Sequence, residues 1–497
     1  MADQTSNNNA DTNDPLVHLP SEIVLRIIDN ATLASVAKLT QLTRAWHDFI
    51  DQVHQDAIYS SPSKVERPVQ TRNFSFIDSS HDHNKYYNEY YDNIQSWKDL
   101  CRRQTLLKRG WNRKRPITRE ANIQVGHAPI WRFRPDFKRR IFLSTSQIGG
   151  LNVTDMDSGR ILFQLKADTV RPFAHLEYED GTAVFDREGD AVEVWKTDLD
   201  FPRGEFKRVA ILNHDRQTRG FQLRNKTLCV VSSEEKGYVY DLSGEPTLLR
   251  EIDIENGAVG HLDQGRRVVA YSLGDQGYHF YDKQTGEALG ILHPEKTTNA
   301  YHVAHPKHKL DCRIGVGSVG RASDTYPPQY PSNDRTTQLY VKEGKLPQRT
   351  GVPRVALRDD EWGAGMLDGD LFAGVSRGGR VFICSNWRKA LTSASSFQEV
   401  TANLECDTDG STFDLGGWLA VRGHKLMFEN RDRAYIIGLN DDDTLKTHDD
   451  SPQRPSYAYA TSSAAQLAVP VSFMGIYDDC VMSTYTVSST PIPKHGN

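Results

Sequence analysis

Between residues 19 and 53 the large apolar side chains recur at helical spacing. Ile23 and Ile27 fall one turn apart, and Val24 and Ile28 line the adjoining face, so the apolar stripe is wide. Pro20 suits the first turn of a helix, and Ser21 and Glu22 suit its positive end. A helix is therefore predicted to start there. Asn30 and Thr32 mark a break. Leu33, Val36 and Leu39 then recur, and Leu42, Trp46, Phe49, Ile50 and Val53 continue the pattern, which predicts three short helices. A unit of about forty residues has too much surface for its volume to bury so many large apolar side chains. The pattern predicts a covering partner.

The flanks read differently. Residues 1–13 are almost wholly polar and are predicted to be a disordered tail, ahead of a helical segment at 14–60. Residues 61–95 read as a flexible loop containing Pro62, Pro68 and a run of tyrosines. Ser96 is a suitable N-cap for an amphipathic pattern through Leu100, Leu106, Leu107 and Trp111, which places linker helices at 96–120.

From about residue 121 to residue 490 the chain changes to short β-rich runs separated by Gly, Asp and Asn turns. Leu151–Leu162, Val239–Leu249 and His279–Leu289 share one phase: strand, Asp, a turn carrying Gly, strand. Weaker copies follow at Val192–Lys196, Leu339–Gly344, Val381–Trp387 and Ala434–Leu439. Taking Asp155, Lys196, Asp241 and Asp282 as equivalent gives spacings of 41, 45 and 41 residues. That period suits four-stranded propeller blades of WD-repeat size. Seven centres, with the terminal run Val471–Val487 as closing strands, predict seven blades, with six or eight as alternatives. The Gly-His and Trp-Asp dipeptides of typical WD repeats are mostly missing. A two-sheet sandwich could supply similar strands, but the recurring Asp-turn-Gly phase favours a ring.

Leu19-Pro20-Ser21-Glu22-Ile23, the leucine-rich middle, and Arg44-Ala45-Trp46 with Phe49-Ile50 after it together resemble an F-box. Thr43 stands where Ser or Cys is usual, and Ala57-Ile58-Tyr59-Ser60-Ser61 resembles the close of the motif in fungal members. The segment at 96–111 is similar to the linker helices that join F-boxes to propellers. The resemblance implies that Leu19, Pro20, Ile23, Ile27, Leu39, Leu42, Trp46, Phe49 and Ile50 dock on the Skp adaptor, and through it on cullin. It further implies a substrate-recognition subunit of an SCF ubiquitin ligase whose propeller binds a target protein. The predicted fold class is accordingly mainly β: an N-terminal three-helix F-box plus linker helices, followed by a β-propeller. The competing reading is a ubiquitin-independent propeller scaffold with the helices as a cap or dimer face.

Composition narrows the function classes. A net charge of −5 with 25% charged residues implies no general attraction to nucleic acid or to an anionic membrane. No apolar run reaches the length of a membrane span, and the polar start lacks a signal-peptide core, which predicts a cytoplasmic or nuclear protein. Cys101, Cys229, Cys312, Cys384, Cys406 and Cys480 include no C-x-x-C pair, which argues against a zinc module and a disulfide scaffold.

Little else suggests chemistry. His302, His305, His308 and Cys312 could suggest a metal, but Pro306 interrupts any helix there and the spacing matches no established zinc pattern. His81-Asp82-His83 places adjacent side chains on opposite sides. The basic run from Lys98 through Arg102, Arg103, Lys108 and Arg109 to Arg115 reads as the solvated face of a linker helix. Thr408-Asp409-Gly410-Ser411-Thr412-Phe413 is one imperfect copy of a sialidase Asp-box. Gly-x-Ser-x-Gly, a P-loop and His-Glu-x-x-His are all missing. A non-catalytic chain without cofactor or metal is predicted. Arg132, Arg171, Arg224 and Arg377 are arginine candidates for a target-binding face, unranked by sequence.

Overall fold

A computed structural model describes residues 14–65, 94–111, 125, 128–187, 191–198, 200–255, 260–304, 336–346, 361–406, 418–430, 433–445, 447, 456–460, 474–477 and 480–483. The expectations for 1–13, for most of 61–95, for His305 to Cys312 and for Thr408–Phe413 lie outside these residues. The chain divides into two compact units, Met1–Trp111 and Asn112–Asn497.

The first unit is helical. Helices α1 (Pro15–His18), α2 (Ser21–Asn30), α3 (Leu33–Leu39) and α4 (Arg44–His47) are followed by a π-helical turn (Asp48–Val53), α5 (Gln55–Tyr59) and α6 (Trp97–Trp111). Their starts follow local chemistry. Asp14, Thr32 and Thr43 each accept a first-turn backbone N–H, from Leu16, Ser35 and Trp46, and Ser96 does the same for Asp99. At the far end of α2, Lys64 Nζ donates to the carbonyls of Asp29, at 2.6 Å, and Ala31, so a cation meets the negative helix end. The core joins Val24, Ile28, Val36, Trp46, Ile50, Ile58 and Tyr59 to Trp97, Leu100 and Cys101. The beginning of α6, expected only as a linker, thus completes this core. Lys98 also reaches the buried Asp51 at 2.7 Å.

The second unit is mainly β. Four successive antiparallel meanders of four strands span residues 130–165, 176–213, 218–253 and 262–292. These have the strand count and order of WD40 blades. Two more meanders, 362–405 and 419–460, are fused into one ten-stranded sheet by a pair of bridging strands, Ala300–Ala304 and Thr336–Glu343. Ala300–Ala304 runs parallel to Thr401–Glu405, and Thr336–Glu343 pairs with Ser456–Ala460. The repeat centre expected at Leu339–Gly344 therefore belongs to a bridge and is no blade centre. Alternation of Leu339 and Val341 with polar residues reports a half-buried strand without saying which strand it joins.

The other six centres are all third strands of meanders. Asp155, Lys196, Asp241 and Asp282 are each the last residue of a third strand. The register between third and fourth strand shifts just before each of them, at Val153/Thr154, Val194/Trp195, Val239/Tyr240 and Phe280/Tyr281. The three aspartates then accept backbone N–H groups two or three residues on, so each side chain stands in for a turn carbonyl. Lys196 instead sends its ammonium to the carbonyls of Leu242 and Gly244, both at 2.9 Å, in the turn of the next sheet.

The first strand of each meander contacts the first strand of the next, from Ile130–Asp136 through to Leu419–Val421 and then to Met474–Ile476, which forms a hairpin with Val481–Ser483. Tyr477 then sets its ring edge-on to Phe137 of the first meander, with centroids 5.1 Å apart. Apolar layers between meanders supply the cohesion, such as Tyr278 and Phe280 against Phe372 and Phe382. Gly374 permits that approach, since a Cβ there would stand 2.3 Å from Tyr278 Oη.

Polar pins cross the same seams. Glu179 accepts the N–H groups of Asn225 and Lys226, at 2.8 and 2.7 Å, and Asp368 accepts that of Gly423. Asp263 accepts Leu367 N–H at 2.6 Å while fully buried, and burial pushes its carboxyl up to about 6 despite Arg224 nearby. A folded value above the unfolded one means that stability is highest with the group protonated and falls as pH rises through about 6. Relative to wild type, Asp263→Asn is expected to gain about 2–3 kcal/mol in unfolding free energy between pH 4 and pH 7, measured by urea denaturation across that range.

Candidate functional site

Two surfaces stand apart from the rest. The first lies on the helical unit. In α2, Val24 and Ile28 are each 1% exposed, whereas Ile23 is 41% and Ile27 is 53% exposed. Ile23 and Ile27 lie one turn apart on the outer face of α2, and Leu19, also exposed, precedes the helix in extended backbone. Val17, Leu42 and Val53 are further exposed aliphatic side chains of this unit.

The residues singled out from sequence divide accordingly. Leu19, Pro20, Ile23, Ile27 and Leu42 are exposed, and Leu39 and Phe49 are half-buried at the edge of the core. Trp46 and Ile50 are sealed inside it. The indole of Trp46 is covered by the helices of its own unit, so it organises the surface instead of forming it. Thr43 caps the helix that carries Trp46, and a threonine hydroxyl fills that role as serine would.

The Phe49 ring meets Trp46 edge-on and His54 at a tilt, at centroid distances of 6.4 and 4.4 Å. Beneath, burial pushes the Tyr59 hydroxyl up to about 12, reinforced by Asp51, and pushes the Cys101 thiol up to about 11. Both are neutral core groups. Cys101 donates to the Tyr59 carbonyl at 3.3 Å.

The second surface lies on the β unit, where the chain enters and leaves the first meander. Three segments are tied there by backbone hydrogen bonds. Gln147 N–H donates to Pro129, Gly150 N–H to Val170 and Phe173 N–H to Ser146. Phe173 is 49% exposed with φ +55°, and Ile148, in the turn to which it is bonded, is 66% exposed. Left-handed backbone at a bulky residue costs about 1–2 kcal/mol. The Phe173 ring meets Trp131 edge-on at 5.2 Å.

Behind the rings sits a charge network. The Arg132 guanidinium lies 4.7 Å from the centroid of Trp131 and 4.4 Å from that of Trp418. Burial, with Arg134 beside it, pushes Arg132 down to about 9, so it stays cationic at neutral pH. Arg134 and His175 meet Glu177 at 2.6 and 2.8 Å, and Arg171 pairs with Asp186. Burial opposes ionisation of Glu177, yet Arg134 and His175 together hold its carboxyl below the usual range.

The arginine candidates can now be ranked. Arg224 bonds the carbonyls of Gln264 and Leu367 and serves a seam between meanders. Arg377 pairs with Glu361 at 2.8 Å. Arg132 and Arg171 belong to the second surface. Trp131, Phe173 and Trp418 were not anticipated. The available signal was Arg171-Pro172-Phe173, an aromatic residue beside proline between two strands, where core packing has no use for it.

Among the described residues no cluster of three or more metal-ligating side chains occurs, and His302 Nδ1 is hydrogen bonded to the Gly344 carbonyl at 2.9 Å. No described helix is long and apolar enough to cross a membrane.

No protein-family model and no curated protein matches the chain. Among solved structures it is similar to the computationally designed Ika8 protein, with 13% identity over 68% of this chain and 98% of that one, at a TM-score of 0.36. It is also similar to the C-terminal WD40 domain of Sif2, with 11% identity over 69% and 72% of the two chains, at a TM-score of 0.35. A chain of the mitotic checkpoint complex shares 11% identity over 50% and 73%, at a TM-score of 0.29. At these scores the likeness carries no functional argument.

The division of α2 has a direct check. Ile28→Ala is expected to destabilise the helical unit by about 2–4 kcal/mol through the cavity it leaves, and Ile27→Ala by less than about 0.5 kcal/mol. Hydrogen exchange of α2 amides in the full-length chain reads both.

Proposed function

We propose that this chain is the substrate-recognition subunit of an SCF-type ubiquitin ligase. Its helical unit would be an F-box that docks on the Skp adaptor, and its β unit a propeller that holds a target protein. The six meanders together with the hairpin 474–483 would be the seven blades. The reading is carried by one observation: Ile23 and Ile27 stand exposed one turn apart on a helix whose core side is already complete, and Leu19 is exposed just ahead of it. Exposed aliphatic side chains so placed match a partner's apolar groove. The F-box resemblance names the partner.

In this role the chain makes and breaks no covalent bond. Holding adaptor and target on one polypeptide raises the local concentration of the target's lysines near the conjugating enzyme that the cullin brings. The pattern of meanders supports an interaction module, because loops at the ends of such sheets vary without disturbing the strands.

Each of these three residues retains part of its exposed area to lose on docking, worth about 1 kcal/mol apiece. The triple substitution Leu19→Ala, Ile23→Ala, Ile27→Ala is therefore expected to weaken adaptor binding by roughly two orders of magnitude. Thermal unfolding should stay within a few degrees of wild type. Titration with purified Skp adaptor measures the first, and unchanged affinity would refute the reading.

A further inference from the structure

We propose that the seam between the meanders 218–253 and 262–292 is a proton-operated catch that opens locally in mild acid, with the buried His279 imidazole as its trigger. The proposal concerns the β unit alone and is independent of adaptor docking.

His279 lies in the third strand of its meander, Tyr278–Asp282. Tyr278 and Phe280 pack against the meander that follows, and Tyr281 packs against Ile252 and Ile254 of the one before. Alternation along the strand therefore aims His279 at the earlier meander, where it is 3% exposed. One ring nitrogen is hydrogen bonded to the Gln276 backbone. The other, Nε2, is enclosed and has no partner among the described residues. Tyr271 stands directly opposite in the strand pair, but its hydroxyl reaches toward Gly237 and is itself without a partner there.

The neutral ring suits this seam and the charged ring does not. With one nitrogen donating to Gln276, a neutral imidazole leaves a single acceptor unfilled. Protonation adds a second N–H and a full charge where no acceptor stands. The charged neighbours divide. Glu255 favours the cation, whereas His293, with Lys296 beside it, adds like charge. The Tyr281 hydroxyl is bonded by the Glu255 backbone, and Glu251 and Asp253 are engaged with Lys236. At the far end of the same face, Lys283 and the Cys229 thiol meet at Gln264. Burial outweighs Glu255 and holds the imidazole below the usual histidine value. A folded value below the unfolded one gives full stability above about pH 6.5 and loses it as pH falls.

The same meander carries the opposite response on its other side. Asp263, which pins Leu367 of the following meander, is most stabilising when protonated. Acid therefore loosens one seam of 262–292 and favours the other.

Hydrogen exchange of the full-length chain at pH 7.5 and pH 5.5, corrected for the intrinsic pH dependence of exchange, tests this. Peptides from 247–255 and 278–293 are expected to open up to about tenfold more at the lower pH, the ceiling for one imidazole that titrates only in the open state. Peptides from 362–368, on the Asp263 side, should not. His279→Phe and His279→Gln both remove the proton site, and either should abolish the difference. The proposal is overturned if exchange at 247–255 and 278–293 is the same at both pH values, if 362–368 opens equally, or if a folded variant keeps the response. Should neither variant fold, the wild-type comparison decides alone.

Discussion

One residue step along a helix turns the side chain by about 100°, and in α2 that step separates core from surface. Val24 and Ile28 close on Trp46, Ile50 and Tyr59, while Ile23 and Ile27 face away. The helical unit is too small to wrap both faces. Its interior is satisfied by one face of α2, the π-turn residue Ile50 and the first turns of α6, and among the described residues Ile23 and Ile27 stay exposed. Exposed aliphatic side chains so placed are tolerable where a second chain removes them from water. The proposed docking of a partner chain on the helices rests on that constraint.

The β unit solves a different problem. Each meander buries apolar strands against the next, and the seams carry polar side chains that bond backbone N–H groups across them. Glu179, Asp263 and Asp368 perform the same task at three seams from three sequence contexts. The cost of burying such a carboxylate differs with its surroundings. Glu179 works at the surface, whereas Asp263 is enclosed and its ionisation is disfavoured. Seam positions are thus defined by geometry, and the residues filling them need not look alike.

This explains which features could be read from sequence. The end of the third strand was legible because an Asx turn needs a short acceptor side chain followed by a turn, and Asp155, Asp241 and Asp282 supply it at nearly constant spacing. Lys196 was legible only by its spacing, since its ammonium acts on the next sheet. The strand at Leu339 was misassigned because period-two alternation is the same in a bridge and in a blade. The helix starts at Ser21 and Trp97 followed from caps and proline. The division of roles within the apolar stripe did not follow: Trp46 and Ile27 are both large apolar residues at helical spacing, and only the packing of α5 and α6 decides which is covered.

The surface at Phe173 was hidden for a related reason. Its members, Trp131, Ile148, Phe173 and Trp418, come from four segments that backbone ties and ring contacts assemble. No local spacing relates them. What sequence does reveal is a mismatch, since a phenylalanine in a Pro-containing turn serves neither strand pairing nor a helix stripe. The fold offsets the cost of its left-handed backbone with the hydrogen bond that Phe173 N–H donates to the Ser146 carbonyl and with the tied turn beside it. A rim loop can carry such strain because the strands beneath are stabilised by their own apolar layers. The repeated sheets therefore leave the end loops free to hold conformations and charges that the core could not accept, and this loop holds both.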